Sequence, residues 1–201
     1  MNKLIFTLFA FAFTTTLVAQ LPENPEDISP LLVSETFPNV KVGATDGELT
    51  AFHSIVKEKP TVVIFYRGGW CPYCNAHLSE IGQKESEILE LGYQVVAISP
   101  DKLENLEETA VKDEIKYKLF SDATGELTKA AGIAFKAPER YGNRLLDWSG
   151  GKNKGFLPVP SVFVLDTKGE ILFEYINPNY KQRLSGELLL AVLQVLKDET
   201  E

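Results

Sequence analysis

The run FYRGGWCPYCNAHL, residues 65–78, decides the fold. It begins in the tail of TVVIFY, residues 61–66, a continuous β-branched and aromatic stretch bounded by Pro60 and by Gly68-Gly69. That is the pattern of a strand buried on both faces. Beyond the glycines the period changes to 3.6, with Leu78, Ile81, Ile88 and Leu89 on one face and Gly92 as the stop, which predicts an amphipathic helix over 74–91. Cys71 falls at or just before the helix start. Pro72 suits the first helical position, where its missing N–H costs nothing. The orphan N–H groups and positive dipole end of the helix favour an anion there, and Arg67 adds a positive charge nearby. Both stabilise a thiolate: a free cysteine titrates at about 8.5, and such settings lower it to about 3.5 to 7.5. The C-x-x-C spacing puts Cys74 one turn away, close enough to attack and close a local Cys71-Cys74 disulfide.

Working outward, strand and helix patterns alternate. QVVAIS at 94–99 repeats the strand character, 102–115 carries Leu103, Leu106, Ala110, Val111 and Ile115 on one stripe, 118–120 is a short strand, and 125–131 a helix. Residues 135–157 read as a long irregular stretch containing Tyr141, Trp148 and SGGKNKG, whose glycines lack phosphate-loop spacing. SVFVLD at 161–166, a Lys168-Gly169 turn and residues 170–176 form a hairpin, followed by a helix at 186–197 with Leu188, Leu189, Val192, Leu193 and Leu196 on one side. Upstream, VKVGATDGEL at 40–49 holds an Asp46-Gly47 pair between apolar residues, the signature of a tight hairpin. The predicted architecture is α/β, a central mixed β-sheet flanked by helices with an N-terminal β-hairpin extension.

The chain has 201 residues, 44% of them hydrophobic, and a formal net charge of −8, so it can bury a core unaided and has no basic face for tracking nucleic acid. Residues 1–19 have a positive start at Lys3, an apolar run and a small-residue end at Ala19, the order of a cleaved signal peptide. The run is too broken for a membrane span of about 20 residues. We therefore expect an exported protein, periplasmic or secreted, with no membrane attachment after cleavage. Residues 20–30 are expected to be an N-terminal arm or linker and 31–201 the folded domain. Only two cysteines occur, too close together to staple a fold, and export allows them to form a disulfide.

Zinc is the competing use of the pair, since His77 follows Cys74 by three and His53 would be a fourth ligand. Structural zinc sites draw paired ligands from two knuckles, so no metal is expected; His77 is read as a helix-surface residue and His53 as partly buried. Pro160, immediately before a buried strand, is the second chemical feature; it is either a trans proline opening the strand or a cis one.

FYRGGWCPYC, with ISPD at 98–101, SDATGEL at 121–127 and LPVPSVFVLD at 157–166, resembles the alkyl hydroperoxide reductase and thiol-specific antioxidant superfamily in its peroxiredoxin-like branch, over roughly residues 31–196. The resemblance implies a thioredoxin-like fold, a cis proline at Pro160, and reduction of hydroperoxides or protein disulfides at the expense of a thioredoxin-like thiol donor, without a cofactor. Cys71 and Cys74 would be catalytic, with Arg67, Trp70, Pro72 and Pro160 in support. Ordinary peroxiredoxins carry their peroxidatic cysteine in P-x-x-x-T-x-x-C. Aligning strand ends without gaps places Cys74 on that cysteine, Cys71 on the threonine and Arg67 on the proline; counting back from Cys71 gives Gly68 and Ile64 instead. Neither register restores the motif. A thiol peroxidase is the leading expectation, a protein disulfide reductase the alternative, and a non-catalytic binding module the third. Thioredoxin logic makes Cys71 the attacker, the gap-free alignment Cys74.

Overall fold

The computed structural model describes residues 20–199, so the leader at 1–19 lies outside the described residues. In chain order the elements are β1 (Lys41–Ala44), β2 (Leu49–Ala51), α1 (Phe52–Val56), β3 (Thr61–Phe65), α2 (Pro72–Glu90), β4 (Gln94–Ser99), α3 (Leu103–Lys112), β5 (Lys118–Ser121), α4 (Glu126–Ala130), β6 (Ala134–Lys136), α5 (Arg144–Trp148), β7 (Phe156–Pro158), β8 (Ser161–Leu165), β9 (Ile171–Ile176) and α6 (Gly186–Asp198). Seven strands make one mixed sheet in the order β2-β1-β5-β4-β3-β8-β9, with β3, β4 and β5 parallel and the remaining pairings antiparallel.

Alternation along the strands builds two cores. Val62 and Ile64 of β3 pack on α2, α3 and α6 through Leu78, Ile81, Leu106, Leu189 and Leu193. Val63 and Phe65 turn to the opposite face, against Phe37, Phe52 of α1 and Leu127 of α4. All five β3 residues are buried, as the unbroken apolar run requires. Truncating Ile64 to Ala would cost about 2–5 kcal/mol. The expected hairpin forms between β1 and β2: Gly47 takes φ +87°, and Asp46 Oδ1 accepts from the Glu48 N–H at 2.9 Å.

Several expectations change. The 135–157 stretch is ordered rather than irregular: β6 and β7 pair with Phe135 opposite Leu157, a 3-10 turn spans Glu139–Tyr141, and these elements with α5 enclose a small core of Phe135, Leu145, Leu157 and Val159. Each element is only three to five residues long, too short to show a period. Helix α1, equally short, was not anticipated. The arm is tied down: it makes a 3-10 turn at Pro25–Asp27, and the Lys136 N–H donates to the Pro22 carbonyl at 2.8 Å. Leu89, Val111 and Leu188, assigned by period to buried faces, are exposed at 45%, 81% and 53%, because each helix buries a narrower stripe than its apolar residues span.

The implied cis bond at Pro160 is not present; the described residues contain no cis peptide. Between β7 and β8 the Val159 N–H donates to the Ile133 carbonyl and the Asn177 N–H to the Pro160 carbonyl. Pro160 thus stands just before β8, where a trans proline disturbs no ladder bond. His77 is also corrected, being only 5% exposed. Its position, three after Cys74, puts it on the inner face of α2 beneath the segment leading into α6. Among the described residues no helix is long and apolar enough to cross a membrane.

Candidate redox site

The strand-to-helix turn is built as the glycines require. Gly68 has φ +138°, a region that L side chains rarely adopt, and a Cβ there would lie 2.3 Å from Trp70 Nε1 and 2.8 Å from Asp101 Oδ1. A Cβ on Gly69 would lie 1.9 Å from Thr109 Oγ1. Asp101, at the end of β4, accepts the Gly69 N–H on Oδ2 at 2.7 Å, and Asn75 Nδ2 donates to the Gly69 carbonyl at 2.8 Å. The turn is clamped from both sides. Cys71 is the N-cap of α2 with extended backbone, Pro72 is the first helical residue, and the Cys71 carbonyl accepts from the Cys74 and Asn75 N–H groups. The helix begins where the sequence predicts the anion-favouring end.

The thiols are free, buried and unequal. Cys71 is 2% exposed and its pKa is pulled down to about 6, chiefly by a hydrogen bond from the Cys74 thiol, with the Arg67 and Arg183 charges adding to it against the cost of burial. Cys74 is 1% exposed and is pushed up, first by burial and then by the Cys71 sulfur beside it. One proton shared between the two sulfurs thus sits on Cys74, leaving Cys71 as the thiolate.

Arg67 is buried at 4% exposure beside the thiols, its Nη2 donating to Tyr141 Oη and its guanidinium carbon 4.3 Å from the Tyr180 ring centroid and 5.1 Å from that of Trp70. Burial lowers its pKa and the cysteines raise it. Trp70 stacks on Trp148 of α5 at 4.6 Å and 13°. Arg183, just before α6, brings Nη2 to 3.6 Å from Cys74 Sγ. Pro160 lines the same cavity as Arg67.

Sequence reasoning named Cys71, Cys74, Arg67, Trp70, Pro72 and Pro160, and the structure brings them to one end of the sheet. It missed Arg183, Tyr180, Asn75 and the clamping role of Asp101. Only Asp101 carried a local signal, its place at the end of a strand in ISPD. The zinc set does not assemble: His53 Nε2 lies 2.6 Å from the Phe37 carbonyl in the opposite core. His77, whose pKa burial and Arg183 lower to about 4, stays neutral near pH 7. Asp101 is raised to about 7 by burial.

Residues 33–173 match the AhpC/TSA family. The chloroplastic peroxiredoxin Q of Triticum aestivum is 25% identical over 152 residues, which cover 76% of this chain and 62% of that protein. Among solved structures, the peroxidoxin BcpB of Mycobacterium tuberculosis superposes with a TM-score of 0.65 at 20% identity, covering 82% of this chain and 97% of that one. The reduced Prx3 of Vibrio vulnificus in complex with hydrogen peroxide gives 0.70 at 14% identity, covering 81% and 99%. Peroxiredoxin Q of Xanthomonas campestris gives 0.63 at 18%, covering 85% and 99%. The fold is thus the thioredoxin-like one of the peroxiredoxins, as expected. A mixed sheet with its cysteines at the β3–α2 turn and a family match over most of its length make this chain a member of the AhpC/TSA family.

Proposed function

We propose that the chain is a thiol-dependent peroxidase in which Cys71 attacks and Cys74 resolves. The observation that carries this is the geometry at the start of α2, where Cys71 caps the helix beside the buried Arg67 with Cys74 one turn on; the Cys74 thiol and the nearby charges pull the Cys71 pKa down to about 6 while burial pushes Cys74 up. The Cys71 thiolate attacks the terminal oxygen of ROOH; the O–O bond breaks, ROH leaves with a proton from solvent, and Cys71 becomes a sulfenic acid. The Cys74 sulfur then attacks Cys71, its proton leaves with the hydroxyl as water, and the Cys71-Cys74 disulfide forms. A thioredoxin-like dithiol reduces it by exchange, becoming a disulfide itself. The chemistry needs no flavin, haem or metal.

Family membership and the peroxiredoxin names of the relatives support this reading. The positively charged leader and small-residue end of residues 1–19 support export, and N-terminal sequencing of the secreted chain, expected to start at Gln20, tests it. Residues 31–201 are proposed as the working domain. Consumption of hydroperoxide with a dithiol reductant is the test: wild type turns over, and Cys71→Ser is at least 100-fold slower, on the order of a lost nucleophile. Protein disulfide reduction is the second reading, favoured by the N-cap position of Cys71, which suits thiol exchange equally well. Wild type that reduces a protein disulfide but consumes no hydroperoxide would establish that reading instead.

A further inference from the structure

Two hydrogen-bond donors outside the cysteine pair converge on Cys74. One is Arg183 Nη2, 3.6 Å from Sγ, and the other is the main-chain N–H of Arg67. Arg183 Nη1 donates to the Gln182 carbonyl at 2.8 Å, and no carboxylate lies within ion-pair distance of the guanidinium among the described residues. A full positive charge is thus aimed at the sulfur that is protonated in the resting pair. Such a donor gains most when its acceptor is charged.

Burial holds Cys74 protonated, followed by the Cys71 sulfur beside it; Arg183 and the Arg67 N–H act in the opposite direction. Once Cys71 is bonded to a second atom it carries no charge, so its opposition ends and the two donors remain. That happens twice in a redox cycle. Cys74 must give up its proton to attack Cys71 when Cys71 is a sulfenic acid. Later, an external thiolate attacks Cys71 Sγ in the Cys71-Cys74 disulfide, the S–S bond breaks, and its electron pair goes to Cys74 Sγ. This second charge appears on a residue only 1% exposed, where water gives it little help.

Resting on the redox cycle proposed above, we propose that Arg183 is a catalytic residue for the Cys74 half of that cycle: with the Arg67 N–H it forms an anion site for Cys74 Sγ as this sulfur attacks Cys71 or leaves the disulfide. The reductive step then closes on a dithiol donor. The second donor thiol passes its proton to Cys74 and attacks the mixed disulfide; Cys71 leaves as thiolate and the donor becomes a disulfide.

Helix α2 itself places Arg183. Along one of its faces Cys74 meets Arg183, His77 lies against the Leu184 backbone, Glu80 Oε1 accepts the Gly186 N–H at 2.7 Å, and Lys84 pairs with Glu187 at 2.7 Å. Glu80 holds the first N–H of α6, three residues beyond Arg183, and is therefore a positioning residue.

Reduction of a preformed disulfide tests this on the full chain. Diamide makes the disulfide without any peroxidase activity, and dithiothreitol reduces it at pH 8 under stopped flow. Arg183→Gln should slow that reduction about 10- to 100-fold, the order of one charge-assisted hydrogen bond. Iodoacetamide alkylation of Cys71 at the same pH, well above its pKa of about 6, should fall less than about threefold. Arg183→Lys should recover part of the reduction rate. Glu80→Ala should slow the same step about three- to tenfold, and Glu80→Gln, which keeps an acceptor, should restore it. In the Arg183→Gln background Glu80→Ala should add nothing. Reduction of Arg183→Gln within about twofold of wild type, or parallel slowing of reduction and alkylation, overturns the proposal. Additive effects of Glu80→Ala and Arg183→Gln overturn the positioning role. Failure of the peroxidase reading looks different: hydroperoxide leaves both cysteines reduced, while reduction of the diamide-formed disulfide still depends on Arg183.

Discussion

Arg183 Nη2 lies 3.6 Å from Cys74 Sγ, joining residues 109 positions apart. Its charge lowers the pKa of both thiols and, by repelling a second proton, that of His77. Arg183→Ala should therefore raise the Cys71 pKa from about 6, and iodoacetamide alkylation at pH 6 should slow about two- to tenfold, with the midpoint of the rate profile moved upward. Arg183→Lys should recover part of the shift. An unmoved midpoint would mean that the guanidinium only packs there.

The unequal thiols predict which sulfur is oxidised first. In Cys74→Ser, hydroperoxide should leave a sulfenic acid on Cys71 that dimedone traps at close to one label per chain. Cys71→Ser should take up little, because its remaining thiol is held protonated by burial. Mass spectrometry of the labelled chains distinguishes the two. Strong labelling of Cys74 in Cys71→Ser would restore the assignment given by the gap-free alignment.

Asp101 should make stability fall with rising pH. Burial raises its pKa from 3.8 to about 7, so the folded chain holds a proton that the unfolded chain has released. Its contribution is fully present below the unfolded value and is lost as pH climbs through the folded one, by on the order of 4 kcal/mol at most. Asp101→Asn keeps an acceptor for the Gly69 N–H and removes this slope. Relative to wild type, its melting temperature should therefore improve between pH 5 and 8 when followed by circular dichroism. His77 acts in the opposite sense: lowered from 6.5 to about 4, it contributes stability that is lost as pH falls through that window.

The glycine turn predicts a non-equivalent pair of substitutions. Gly68→Ala meets an unfavourable φ of +138° as well as Trp70 and Asp101, and should cost about 2–4 kcal/mol. Gly69→Ala meets Thr109, with Oγ1 at 1.9 Å and Cβ at 3.2 Å. Adding Thr109→Ala should recover part of the second loss and none of the first, as measured by urea denaturation of the double-mutant cycles. Equal rescue of both would show that the backbone at Gly68 is not constrained.

The sheet and the cysteine pair were legible because their signals are local. Thr61 and the four apolar residues of β3, two glycines and a helical period are enough to specify a buried strand, a sharp turn and a helix start at Cys71, whatever lies elsewhere in the chain. The β6–β7 unit was not legible, since it rests on pairing Phe135 with Leu157 across an insertion containing elements of three to five residues.

Chain order also hid what distinguishes the two thiols. On paper the helix start only favours an anion at Cys71; the inequality comes from the Cys74 thiol donating to Cys71 and from the burial that keeps Cys74 protonated, with the Arg67 and Arg183 charges adding to the Cys71 anion. His77 read as a surface residue until the α6 segment covered it. The sequence by itself determined that a redox-capable pair opens a helix after a buried strand, because backbone sterics and hydrophobic period act over a few residues. Only the tertiary structure decided which sulfur carries the charge and which guanidiniums surround it, because desolvation and Coulomb fields depend on distance in space, which spacing along the chain does not record.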